Sequence, residues 1–321
     1  MNKKLGIVMD PLPSINIKKD SSFAMMLAAQ KSGWEIHTIY QADLYTENEK
    51  PRARSRITRV DDNPTHWFDF FSEQDIELHS LDAVLMRKDP PFDIEYITST
   101  YILELAERQG TLIVNKPASL RDNNEKMFIT RFPQCCTPFL VSRSSKRLRD
   151  FVAARFEAEQ QDVILKPLDG MGGASIYRVN PHDPNLSVIL ETLSENDSRT
   201  VMAQQFIPEI IHGDKRVLLI DGKAVPYALA RVPARGETRG NLAAGGTGVG
   251  IALTERDHWI CKQVGPVLKQ QGILFAGIDI IGDYLTEINI TSPTCIRELD
   301  QIFSLDIAGD LIRCIEQHIK R

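Results

Sequence analysis

Short apolar runs alternate with helix-patterned stretches through the first third of the chain, and that alternation restricts the fold more than any other feature. Leu5 to Met9 is an apolar run that stops at Asp10-Pro11, the pattern of a buried strand. Asp20-Ser21-Ser22 can cap a helix over Phe23 to Lys31, where apolar residues recur at helical spacing until Gly33 ends the pattern. Trp34 to Tyr40 and Leu81 to Met86 read as strands, residues 93–109 as a helix stopped by Gly110, and Thr111 to Val114 as a further strand. Strand–helix–strand order of this kind implies a parallel sheet with helices on its faces. Ligands of such sheets sit beyond the carboxyl ends of the strands. Two polar groups fall there, Ser14 to Lys19 and Arg87-Lys88-Asp89, although plain solvated loops would look the same. Residues 41–80 break the alternation. Their Arg52, Arg54, Arg56 and Arg59 are flanked by acids, which predicts a surface excursion.

At 321 residues the chain exceeds one core and predicts two or three domains. Its net charge of −5 argues against a coat on nucleic acid or anionic membrane. No apolar run approaches the roughly 20 residues that span a bilayer. The N-terminus lacks the apolar core and cleavage site of a signal peptide, so the cytoplasm is the expected compartment. Five cysteines, with no C-x-x-C pair, agree with free thiols in a reducing environment.

The middle of the chain carries a lysine and a glycine loop. Val163 to Pro167 reads as a strand holding Lys166, Asp169 to Ser175 contains Gly170, Gly172 and Gly173, and Ile176 to Val179 reads as a second strand. Glycines let backbone N–H groups approach an anion, and the lysine adds a point charge for phosphate. The spacing is neither a Walker loop nor a Rossmann fingerprint. On the loop alone, a plain hairpin is an equal reading. A longer stretch, Arg235 to Gly248, holds five glycines and two arginines without an apolar period. It suits either an idle linker or a lid over an anionic substrate. Farther on, Ala276 to Ile281 and Tyr284 to Ile290 flank Gly282-Asp283, a hairpin pattern. Glu287 and Asn289 are two apart and share a strand face, where oxygen ligands suit Mg²⁺, and Asp279 is a third candidate. The polar outer face of an ordinary sheet is the alternative. Thr291 to Thr294 then lead into an expected helix through Asp300, whose first N–H groups could hold a carboxylate.

Seven stretches together resemble the glutathione synthetases of the bacterial type, which are ATP-grasp ligases. They are MDPLPSINIKKDSSFAM from Met9, LMRKDPPFD from Leu85, LIVNKPASLRDNNEKMF from Leu112, ILKPLDGMGGASI from Ile164, GDKRVLLIDG from Gly213, ETRGNLAAGG from Glu237 and DIIGDYLTEINITSPTCIRE from Asp279. The resemblance runs over essentially the whole chain. It implies an α/β and α+β architecture, the ATP-grasp fold in three domains with an N-terminal parallel-sheet domain. The expected divisions are 1–122, 123–201 and 202–321, with a mobile lid at 232–248. Lys126 and Lys166 match the family's phosphate-binding lysines, with Gly170, Gly172 and Gly173 as the phosphate loop. Met202 to Ile207, including Gln204, Gln205, Phe206 and Ile207, matches the strand that meets the adenine edge, and Asp214 matches a ribose contact. Asp279, Glu287 and Asn289 match the magnesium ligands. Arg216, Arg231 and Arg239 match arginines that steady acyl and phosphate oxygens. Asn16, Lys18, Arg87 and Ser292 are candidates for holding the dipeptide.

The implied reaction joins γ-glutamylcysteine to glycine with ATP as co-substrate and Mg²⁺, or Mn²⁺ in its place, as metal. It passes through an acyl phosphate and needs cations and water exclusion rather than a protein nucleophile. The other enzyme reading is a D-alanine ligase of the same fold. A nucleotide-binding regulatory module without chemistry is a third, opposed by Lys166, Glu287 and Asn289. The family also implies a homotetramer, while the net charge leaves no nucleic acid or membrane among the expected partners. Its role for Asp279 constrains the hairpin. A plain two-residue turn would put Asp279 opposite Thr286 and away from Glu287, so a three-residue loop over Ile281-Gly282-Asp283 with a bulge is predicted, pairing Asp279 with Leu285.

Overall fold

The structure is a computed structural model describing residues 3–170, 172–234, 236–237, 240 and 245–319. Three sheets organise it. The first contains β1 (Lys4–Met9), β2 (Glu35–Tyr40), β3 (Leu44–Glu47), β4 (Lys50–Val60), β5 (Phe68–Glu77), β6 (Ala83–Met86) and β7 (Leu112–Val114), with α1 (Ser21–Lys31) and α2 (Ile94–Arg108) as crossovers and α3 (Pro117–Asp122) following. Its order is β3-β4-β2-β1-β6-β7, with β5 on the other side of β4. β2, β1, β6 and β7 run parallel, as the alternation predicts. Local chemistry sets the helix starts. The Asp20 carboxylate accepts from the Phe23 N–H at 2.6 Å, and the Asp93 carboxylate accepts from the Tyr96 N–H at 2.9 Å.

Residues 41–80 are not a surface excursion. They form the antiparallel strands β3, β4 and β5, and β4 joins the parallel sheet through β2. The arginines that obscured this are ladder members: Arg56 pairs with Asp43 and Glu73, Arg54 with Glu73, and Arg52 with Glu77. Ala53 and Ser55 alternate with them and are buried, so the period-2 pattern is real but carried by small residues.

The second sheet, in the order β10-β9-β11-β8, contains β8 (Phe139–Ser142), β9 (Val163–Pro167), β10 (Tyr177–Val179) and β11 (Val201–Gln205), covered by α4 (Ser145–Glu159) and α5 (Leu186–Ser194). It has its own core, in which Leu148 and Val152 of α4 meet Leu165 and Ala203. The third sheet, in the order β14-β13-β12-β15-β16, contains β12 (Asp214–Ile220), β13 (Lys223–Val232), β14 (Thr247–Ala252), β15 (Phe275–Ile281) and β16 (Tyr284–Asn289). α6 (Glu255–Gln270), α7 (Ile296–Phe303) and α8 (Ile307–Ile319) accompany it. α8 returns to pack on α1, so Met25 and Met26 share a core with Leu311, Ile312 and Ile315. The first and third sheets are thereby joined by continuous apolar packing, which keeps the carboxyl ends of β1 and β6 beside the segment after β16.

Candidate active site

A cleft of about 350 Å³ opens between the second and third sheets, with one wall from the loop after β6. β9 delivers Lys166 and the glycine loop, β11 delivers Gln204 and Gln205, β12 and β13 deliver Asp214, Arg216 and Arg231, and the β15–β16 hairpin delivers Asp279, Glu287 and Asn289.

Lys126 is 2% exposed, Lys166 is 5% exposed, and both reach the lining. The Lys126 ammonium donates to the Gly170 carbonyl at 2.7 Å and to the Glu125 carboxylate, and lies 3.6 Å from Glu287. Burial opposes its charge, but Glu287 and Glu125 outweigh that and raise its pKa. Lys166 has weaker company. It donates to Gln204 Oε1 at 3.1 Å and faces the Thr286 carbonyl at 3.5 Å, so burial, aided by nearby Lys126, lowers its pKa. The glycine loop follows directly. A side chain at Gly170 would come within 2.9 Å of the Pro167 ring, and Gly172 and Gly173 have φ of 65° and 79°.

The hairpin has a two-residue turn, not the three-residue loop that was predicted: Ile281 pairs with Tyr284 and Ile280 with Leu285. Gly282 supplies the positive φ of 54° that the turn needs. The bulge lies one step farther along, where Thr286 is passed over and Asp279 pairs directly with Glu287, then Gly277 with Asn289. Asp279, Glu287 and Asn289 therefore share a face. The Thr286 hydroxyl secures the bulge by donating to the Asp279 carbonyl at 3.1 Å. Lys215 donates to the Gly282 carbonyl at 2.8 Å, which fixes the turn, and the Ile288 N–H donates to the Glu125 carbonyl at 3.0 Å, which ties β16 to the Lys126 segment.

Asp279 is 2% exposed and receives a bidentate pair from Arg216 at 2.5 and 2.9 Å, with Arg231 at 2.9 Å. Burial works against its charge, but the two arginines prevail and bring its pKa down to about 2. Asp214, held by Arg231, responds the other way: burial and the nearby Asp279 and Glu287 push it up to about 7. Among the described residues no group of three or more His, Cys, Asp or Glu gathers to hold a metal. A metal on this hairpin therefore needs the Asn289 amide as well. That donor set fits a hard cation, because the Asn289 nitrogen donates to Asp279 at 3.3 Å and leaves its oxygen for a ligand.

Gln204, Gln205, Phe206 and Ile207 all line the cleft. Their strand is held by the Gln205 N–H on the Pro138 carbonyl and the Phe206 N–H on the Asp162 carbonyl, both at 2.9 Å. Ser292 lines the opposite end, and its hydroxyl donates to the Arg87 carbonyl at 3.4 Å. Arg87 sits buried behind that wall, donating to Ser22 Oγ and the Pro293 carbonyl at 3.0 Å each, while its Nη1 has no partner. Asn16 and Lys18 are exposed on the loop before α1 and are not part of the lining. Arg239, and with it much of the Val232–Gly248 stretch, lies outside the described residues. Asp89, in the polar group after β6 that the sequence places at the strand ends, lines the cleft. Two contributors escaped sequence reasoning. Glu125 is hidden as a neighbour of Lys126. Arg178 of β10 stacks its guanidinium 3.9 Å over Phe206 while donating to Asp162 at 2.6 Å.

Comparison with known proteins decides the family. The prokaryotic glutathione synthetase N-terminal domain matches residues 3–121, and the prokaryotic glutathione synthetase ATP-grasp domain matches residues 125–304. The chain belongs to the prokaryotic glutathione synthetase family. It is an ATP-dependent ligase with the ATP-grasp fold. The glutathione synthetase of Pseudomonas putida is 58% identical over 320 residues, covering 100% of this chain and 99% of the relative. A solved D-cycloserine synthetase shares the fold with a TM-score of 0.68 at 16% identity, over 98% of this chain and 99% of that one. D-alanyl-alanine synthetase A from Vibrio cholerae does so with a TM-score of 0.62 at 14% identity, over 100% and 99%. The gap between 58% and 14% identity separates the glutathione reading from the D-alanine one.

Proposed function

We propose that this cleft carries out glutathione synthesis, from ATP, γ-glutamylcysteine and glycine, with the residues described above. The observation that carries the residue-level reading is the convergence of four buried cations, Lys126, Lys166, Arg216 and Arg231, on one acid-and-amide hairpin. The base of ATP takes the apolar slot beside Phe206 and Ile207, with Asp214 near the ribose. Its phosphates lie along the glycine loop between Lys126 and Lys166. The cysteinyl carboxylate attacks the γ-phosphorus, ADP leaves, and the glycine amine then displaces phosphate from the acyl phosphate. Lys166 and Lys126 neutralise charge on the phosphoryl oxygens, while Arg216 and Arg231 face the acyl oxygens. Mg²⁺ would be held by Glu287 and Asn289 with Asp279 and would neutralise charge on the nucleotide phosphates. Arg216, Arg231 and the Asn289 nitrogen together fill the about four acceptor sites of the Asp279 carboxylate, so a metal would take the place of the longest of these contacts, the Asn289 nitrogen at 3.3 Å. For the dipeptide the reading rests on Ser292 in the wall with Arg87 behind it.

Three coarser proposals accompany this. The domain division into 1–122, a central lobe and a C-terminal lobe is retained, with the second boundary moved past Gln205, because β11 is a strand of the second sheet. A homotetramer is supported by the outer edge of β5, where Phe71 stands 66% exposed, and sedimentation of the purified chain tests it. A reducing cytoplasm is supported by five free cysteines, and no helix among the described residues is long and apolar enough to cross a membrane. The test of the reaction is phosphate release from ATP. It should require γ-glutamylcysteine and glycine together, and D-alanine should not replace them.

A further inference from the structure

Five acids line the cleft: Asp89, Glu125, Asp214, Asp279 and Glu287. Four are matched by cations, Glu125 and Glu287 by Lys126, Asp214 by Arg231, and Asp279 by Arg216 and Arg231. Among the described residues the Asp89 carboxylate has no hydrogen bond and no ion pair, and it acts on the buried Arg87 guanidinium only at a distance. Its backbone, by contrast, is pinned. The Asp89 N–H donates to Asp10 Oδ2 at 3.1 Å, and the Asp89 carbonyl accepts from the Lys88 ammonium at 2.8 Å. The loop is thus fixed while its acid is left free in the lining. Two residues back, the Arg87 guanidinium donates to the Pro293 carbonyl and the Arg87 backbone carbonyl accepts from the Ser292 hydroxyl, which sets Asp89 beside the Ser292 end of the cleft.

The proposed dipeptide carries two carboxylates and a single cation, the α-ammonium of its γ-glutamyl group. The cleft supplies several cations for anionic oxygens but one unmatched acid. We propose that Asp89 is a specificity-determining residue whose carboxylate receives that α-ammonium, so that the enzyme selects a γ-linked glutamyl group over an acyl group without the amine. This rests on the reading of the cleft as a γ-glutamylcysteine site. The charge match is specific to this end, since every other lining acid has a cation in direct contact, whereas Asp89 has only the field of Arg87 behind the wall.

The test compares γ-glutamylcysteine with glutaryl-cysteine, in which hydrogen replaces the α-ammonium, in wild type, Asp89→Asn and Asp89→Glu. Wild type should prefer γ-glutamylcysteine by about tenfold or more in kcat/KM, the size expected for one charged hydrogen bond. Asp89→Asn should raise the KM for γ-glutamylcysteine by about tenfold with little change in kcat, and selectivity between the two substrates should collapse. Its KM for ATP and for glycine should stay put, and Asp89→Glu should restore part of the selectivity. Equal losses on both substrates, retained selectivity in Asp89→Asn, or a rise confined to the glycine KM would overturn the assignment. A wild-type enzyme that forms no peptide from γ-glutamylcysteine, glycine and ATP overturns the functional reading itself. Retained selectivity in Asp89→Asn overturns only the role given to Asp89.

Discussion

Asp279 lies directly opposite Glu287 across the β15–β16 ladder, although a regular two-residue hairpin would have put Thr286 there. Passing over Thr286 shifts the register by one, and a one-residue shift moves every later side chain to the other face. The side chains that β16 contributes to the cleft are thus set by one bulge. The hairpin is fastened at its turn by Lys215 and along β16 by the Glu125 carbonyl, so the register has little freedom.

Removing the charge at Lys166 should cost activity rather than stability. Its burial already disfavours the charged form, and its partners are a neutral amide and a carbonyl. Lys166→Met should therefore unfold within about 1 kcal/mol of wild type, since no buried carboxylate loses its partner. Turnover at saturating ATP should fall by about 2–4 kcal/mol in transition-state stabilisation, roughly 30- to 1,000-fold. Steady-state kinetics beside urea unfolding checks both halves, and near-wild-type turnover would remove Lys166 from the phosphate site.

Asp279 sets a pH dependence of stability. Its pKa is about 2 in the folded chain against 3.8 ordinarily, so its ionised form is favoured by folding. The contribution is complete above about pH 5 and is lost progressively as pH falls through 4 and then 2, and the shift corresponds to about 2 kcal/mol. Asp279→Asn lacks this titration. The stability gap between wild type and Asp279→Asn, measured by urea unfolding at pH 5, 4 and 3, should narrow slightly from pH 5 to 4 and lose roughly half of the Asp279 contribution by pH 3. A gap that widens on acidification would contradict the pairing with Arg216 and Arg231.

Arg178 should support nucleotide binding without touching the phosphates. Its guanidinium covers Phe206 and anchors Asp162, whose carbonyl holds the Phe206 N–H. Cation–π contacts of this kind are worth about 0.5–2 kcal/mol. Arg178→Ala should raise the KM for ATP by roughly 2- to 30-fold with kcat nearly unchanged. An unchanged KM for ATP would separate this stack from the base site.

Gly172 should resist substitution through its backbone. At φ of 65° an alanine has open space but an unfavourable conformation, costing about 1–2 kcal/mol. Gly172→Ala should lower affinity for ATP while leaving thermal unfolding of the rest of the fold nearly intact. Isothermal titration with a non-hydrolysable nucleotide reads this directly.

Much of this site is legible in the sequence because chemistry confines it to short stretches. Lys166 with its glycine loop, and Glu287 with Asn289 at a spacing of two, each fall within one strand or one turn. The parallel half of the first sheet was equally legible from apolar runs punctuated by glycine. What escaped depends on pairing between distant segments. The β4–β5 ribbon was hidden because its inward positions are Ala53 and Ser55 while its outward ones are charged. The position of the bulge follows from how Thr286 meets Asp279 and Lys166, and no local pattern encodes it. Arg178 and Glu125 matter through Phe206 and Lys126, so neither carries a motif of its own.

The proposed reaction turns on transfer of the γ-phosphoryl group to the cysteinyl carboxylate, and one isotope experiment addresses that step. The enzyme is given ATP, glycine and γ-glutamylcysteine labelled with ¹⁸O in the cysteinyl carboxylate, and the inorganic phosphate is analysed by mass. An acyl phosphate hands one carboxylate oxygen to the departing phosphate, so phosphate carrying a single ¹⁸O per peptide formed is the predicted result. Unlabelled phosphate released in step with glutathione would contradict it.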